Sequence, residues 1–134
     1  MPDLELTGWL LLAFGLYSLA ASLGELRNPG QWKAMVEGLN DSYALSFLAG
    51  LVVFSLGFAI ALAHPLDLSA DPRAVIVSFI AYGMIIEGIT FFAFPRSMSA
   101  FATRLLSAAS PLWVIISALL GLIAIVAAFP LLPF

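Results

Sequence analysis

Apolar residues fill four long runs, and polar residues gather at the joints between them. The runs are Leu6 to Gly24, Tyr43 to Ala63, Ala74 to Phe94 and Pro111 to Phe129. Each is close to the roughly 20 residues a helix needs to cross a hydrocarbon layer. None alternates polar with apolar positions, which excludes a transmembrane barrel. Backbone groups in lipid must be satisfied within their own segment, so the runs predict helices. The first run is expected to be a mature span and not a cleaved signal: Asp3 and Glu5 precede it where a signal carries basic residues.

Two joints carry a second pattern. "NPGQWKAMVEGL" (Asn28 to Leu39) aligns with "FPRSMSAFATRL" (Phe94 to Leu105). Pro29 falls on Pro95, Trp32 on Met98, Met35 on Phe101, Val36 on Ala102 and Leu39 on Leu105. The apolar positions recur at the spacing of one helical face. Proline suits a first helical turn, and Asn28 is a good cap before Pro29. Each joint therefore predicts a short amphipathic helix lying in the membrane interface. Trp32, Met35, Val36 and Leu39 would sink in the first, and Met98, Phe101 and Leu105 in the second. Ser99, Thr103 and Arg104 would stay on the polar side.

Together the patterns predict an internal duplication of one unit: span, proline, interfacial helix, span. Repeat one covers about residues 6–63 and repeat two about 74–130. Each unit crosses twice, so the copies share one orientation about a pseudo-two-fold axis along the membrane normal. The expected architecture is all-α and transmembrane. It is a four-helix bundle made of two repeated helical hairpins, each with a short interfacial amphipathic helix. Small-residue pairs favour close helix approach: Ala20 with Gly24, Gly57 with Ala61, Ser117 with Gly121, and Ala124 with Ala128. Short joints predict that sequence neighbours pack as antiparallel hairpins.

Composition agrees. The chain has 134 residues, 63% hydrophobic and 10% charged, where a soluble domain is nearer half apolar and a quarter charged. That length holds one domain, and so small a soluble core could not bury this much apolar surface. A net charge of −3 and the lack of clustered basic residues exclude nucleic acid as a partner. The absence of cysteine removes disulfides and thiol chemistry. Arg27, Lys33, Arg96 and Arg104 lie on one side of the spans and only Arg73 on the other. Basic loops stay cytoplasmic, so both termini are expected in the periplasm, with the chain in a bacterial inner membrane.

One ionisable residue lies well inside a span. Glu87 sits in "GMIIEGITFFAFPRS", where inserting an acid costs on the order of 3 kcal/mol. It should therefore face the bundle, near Tyr17, Ser18, Ser22 or Ser55, with Thr90 one turn along its own helix. A buried packing bond is the plain reading of Glu87; a proton or cation site is the sharper one. His64 with Asp67 and Asp71 has metal-ligand chemistry, but the spacing matches no defined site, and a solvated loop is the simpler reading. No serine has a histidine base in a local motif, and no phosphate, heme or flavin motif is present. Neither a cofactor nor a metal is expected.

"PGQWKAM" followed by "FLAGLVV" in the first unit, and "EGITFFAFP" in the second, resemble the YjeT-like family of small two-helix bacterial inner-membrane proteins. Glu87, Gly88 and Pro95 match its acid–glycine pair and proline in one copy. Pro29, Trp32, Lys33 and Met35 match its proline and tryptophan region in the other. Ala21 and Ser22 stand where the first copy should have the acid pair, and Met98 replaces the second tryptophan. The resemblance implies a tandem fusion of the two-helix unit and no enzyme activity. The function expected is a non-enzymatic accessory or scaffold protein that packs against itself or a larger membrane complex. The alternative is a small oligomeric transporter or channel with Glu87 as its proton or cation site.

Overall fold

The computed structural model describes residues 3–134, with the backbone alone at 108–110. All regular structure among them is helical: α1 (Leu4–Arg27), α2 (Gln31–Asn40), α3 (Tyr43–Ala63), α4 (Pro72–Ala93) and α5 (Pro95–Ala128), closed by a 3₁₀ turn at Phe129–Leu131. Four helical stretches are long and apolar enough to cross a membrane: α1, α3, α4 and Pro111–Leu131.

Local chemistry sets the helix ends. Asp3 accepts from the Glu5 N–H at the start of α1, Ser42 from Leu45 at α3, and Asp71 from Arg73 at α4. These side chains satisfy backbone donors that a helix start leaves open. Asn28 does not cap α2. It ends α1, donating its N–H to the Gly24 carbonyl. The chain then turns through Gly30 at φ 92°, a conformation glycine adopts without steric cost, and α2 begins after it.

The second joint differs from the first. No break separates an interfacial helix from the last span, and α5 runs continuously through Pro111. The Trp113 indole N–H donates to the Leu105 carbonyl at 2.9 Å. Pro111 has no N–H, so the helix lacks one backbone bond there.

Of the expected hairpins of sequence neighbours, α3 and α4 form one, but α1 and α3 do not pack along each other; α1 lies along α5. Glycines set both contacts. A Cβ on Gly121 would stand 2.9 Å from the Gly15 carbonyl and 3.2 Å from the Leu19 nitrogen. A Cβ on Gly57 would stand 2.9 Å from the Ala81 carbonyl and 3.0 Å from the Ile85 nitrogen, and one on Gly88 would strike the Phe54 backbone. Backbones this close exclude side chains between them, the geometry small residues permit. The two helix pairs meet at the end carrying the termini, where Leu11, Val77 and Ala128 form the buried core. At the other end α2 packs on α5.

Candidate functional site

Glu87 is on the outward side of α4. Gly88 beside it is buried against α3, which turns Glu87 away from that contact, and Glu87 is exposed. No hydrogen bond or ion pair to Glu87 forms among the described residues, contrary to the expectation that it faces the bundle. The hydroxyls expected around it are engaged or distant. Ser22 donates to the Ser18 carbonyl of its own helix at 2.8 Å, and Thr90 donates to the Ile86 carbonyl at 2.8 Å. Tyr17 is 75% exposed on α1, and Ser55 points outward from α3. The physical reason is the α3–α4 contact. It requires Gly50, Gly57, Ala81 and Gly88 on the shared face, and Glu87 cannot share a face with Gly88 one residue away.

A different acid is buried. Glu25, on the last turn of α1, is 4% exposed and accepts from the Gly30 N–H and the Trp32 N–H, both at 2.8 Å. Its carboxylate thus caps α2 from the preceding helix, where backbone donors and the helix dipole favour an anion. The Trp32 indole N–H adds a bond to the Ala21 carbonyl at 3.1 Å. Beside this anchor, a cavity of about 470 Å³ opens between α1, α2 and α5, lined by Tyr17, Ser18, Trp32, Met35, Val36 and Leu106 among others. Among the described residues its lining holds no carboxylate, histidine, lysine or arginine. Met35 and Phe101 are exposed. Ser99, expected on the polar side, is instead buried with no partner for its hydroxyl, and Phe101 takes the outward position.

His64, read from sequence as part of a solvated loop, is fully buried. Its Nε2 lies 2.7 Å from Thr7 Oγ1 and its Nδ1 2.9 Å from Ser78 Oγ. Thr7 Oγ1 also donates to the Asp3 carbonyl at 3.1 Å, and Ser78 Oγ to the His64 carbonyl at 3.2 Å. The ring ties α1, α3 and α4 together at the end carrying the termini. Asp67 and Asp71 are not near it as ligands. Asp67 binds Ser69, and Asp71 binds Arg73 at 2.7 and 2.9 Å. No group of three potential metal ligands occurs among the described residues. The Arg73 side chain and backbone N–H hold the Asp71 carboxyl down to about 2. Arg73 also donates to the Ala127 carbonyl at the mouth of an apolar groove of about 350 Å³ between α1, α4 and α5.

The site that the structure leaves chemically open is therefore the outward face of α4 around Glu87. Comparison with protein-family models, curated proteins and solved structures returns no match to this chain.

Proposed function

We propose that this is a small multi-pass protein of a bacterial inner membrane, with both termini in the periplasm, that acts without catalysis as an accessory or scaffold component. It works by packing against itself or against a larger membrane complex. One observation carries the reading: Glu87 presents a carboxylate on the outward face of α4, with no partner among the described residues. A carboxylate left to lipid is costly, and intramembrane acids pair with donors or mark a pathway. Packing by another helix supplies that donor.

The orientation is supported by Arg27, Lys33, Arg96 and Arg104, which the alternation of the helices brings to one end, opposite Arg73 and the termini. The internal duplication is supported by the helix pairing. Laying Pro29 on Pro95 carries Gly15 onto Ala81 and Leu19 onto Ile85. The contact of Gly121 with Gly15 and Leu19 then corresponds to that of Gly57 with Ala81 and Ile85. A pseudo-two-fold axis relates the two, each half exchanging one helix with the other.

The test is gentle purification from native membranes, followed by identification of what accompanies the protein, repeated with Glu87→Gln. A defined companion or a homo-oligomer, kept by the amide, is the expected result. A transport reading competes because the same acid could carry a proton or cation. Proton or cation flux in liposomes that is lost in Glu87→Gln would replace the scaffold reading with that one.

A further inference from the structure

We infer that the chain forms a parallel two-fold dimer through the outward face of α4, with each Glu87 carboxyl bonded to the Tyr82 hydroxyl of the second copy. This rests on the accessory reading above and names its partner. The face is regular. Ile76, Phe79, Gly83, Ile86, Thr90 and Ala93 recur at alternating steps of three and four, the seam of a paired helix. Ile76, Phe79 and Ile86 are each more than half exposed among the described residues. A Cβ on Gly83 would meet nothing within 4 Å, unlike those on Gly50, Gly57 and Gly88, which are filled by the α3–α4 contact. Gly88 lies opposite this seam, so α4 fits between α3 on one side and a second α4 on the other.

The occupant follows from symmetry and chemistry. Two copies in one membrane share orientation, and a two-fold axis along the normal sets each residue opposite its own equivalent at the same depth. Along the seam, Glu87 follows the position of Ile86, and Tyr82 precedes that of Gly83. In a parallel pair these are the flanking positions that meet across the interface. Tyr82 is 39% exposed and its hydroxyl makes no hydrogen bond among the described residues. A phenol donates and a carboxyl oxygen accepts, so the second copy satisfies both groups, twice over. Described side chains of the same chain satisfy neither.

The test uses the full chain in liposomes. The protein contains no cysteine, so single cysteines report one face at a time. Phe79→Cys and Ile86→Cys should oxidise to intermolecular disulfides, and Leu122→Cys and Val126→Cys, outward on α5, should not. Equal cross-linking on both helices overturns the dimer. By energy-transfer titration, Tyr82→Phe and Glu87→Leu should each weaken dimerisation about eightfold, at ~0.6 kcal/mol for each of two interhelical bonds. The double variant should be no weaker than either, and Glu87→Gln should retain the dimer. Additive losses overturn the pairing. Tyr82→Phe keeps the ring and its packing, so its loss is not a folding defect; circular dichroism checks this. A monomer that co-purifies with another membrane protein overturns the dimer and keeps the accessory reading. A monomer with no companion overturns both.

Discussion

Two acids in this chain occupy opposite situations, and each gives a test at the level of one side chain. Glu25 satisfies two backbone donors at the start of α2. Glu25→Ala leaves both without this acceptor, at about 0.5–2 kcal/mol for a lost helix cap. The expected result is faster amide exchange at Gly30 and Trp32, with α1 unchanged. Glu25→Gln keeps an acceptor for only one of the two and should fall between. Asp71 gives the pH test. Its folded-state pKa, about 2, lies below the ordinary carboxylate value because Arg73 donates to the charged form. The contribution of the pair is therefore complete above about pH 4 and is lost as pH falls through about 2. Carbon-detected NMR of the Asp71 carboxyl should show its midpoint near 2, and Arg73→Gln should raise it, short of the ordinary value of about 4, because the backbone N–H of residue 73 still donates. The sequence made Glu87 conspicuous by depth and left Glu25 unremarked, since an acid at the end of a span reads as interfacial. Only the turn at Gly30, which folds α2 back over α1, reveals what Glu25 does.

At the scale of the helix, the glycines separate into those that hold contacts and those that face outward. A Cβ on Gly88 would lie 2.5 Å from the Phe54 Cβ and 2.8 Å from the Gly50 carbonyl. Backbone on the far side cannot yield easily, so Gly88→Ala should destabilise the protein by about 1–3 kcal/mol. Gly83→Ala meets open space and should leave the unfolding midpoint of the monomer unchanged or slightly raised, since alanine favours helix. Unfolding of both variants in mixed detergent micelles checks the contrast. The existence of the four apolar helices was legible because hydropathy and length act locally. Gly57 and Gly121 were legible as small residues in a packing pattern. Gly15, Gly50 and Gly88 were not, because a glycine's partner lies on another helix and the chain order does not name it. The same limit hid the continuity of α5. Proline usually ends a helix or begins one, and Pro111 instead sits inside one.

At the scale of the molecule, the helix pairing has a consequence that a bundle of sequential hairpins would not have. α1 packs on α5 and α3 on α4, so each pair takes one helix from each half of the chain. Cutting the chain in the joint between His64 and Pro72 leaves two halves that each lack the principal mate of both their spans. The half 1–66 keeps α1 without the Gly121 contact and α3 without the Gly88 contact. The half 67–134 is deprived in the mirror sense. Expressed alone, each half should be degraded or should aggregate through its exposed glycine faces. Expressed together, they should recover one complex, because the most extensive helix contacts, α3 with α4 and α1 with α5, run between them. Co-purification through a tag on either half, with protease resistance of the recovered complex, measures this. Sequential hairpins would predict the reverse: halves that survive alone and do not need each other. His64 adds a local check on the same association. Its bonds to Thr7 and Ser78 join α1 and α3 of one half to α4 of the other. His64→Ala, which leaves the Ser78 hydroxyl with only the residue 64 carbonyl at 3.2 Å, should therefore lower the yield of the split complex more than that of the intact chain, where the covalent joint keeps the halves at high effective concentration.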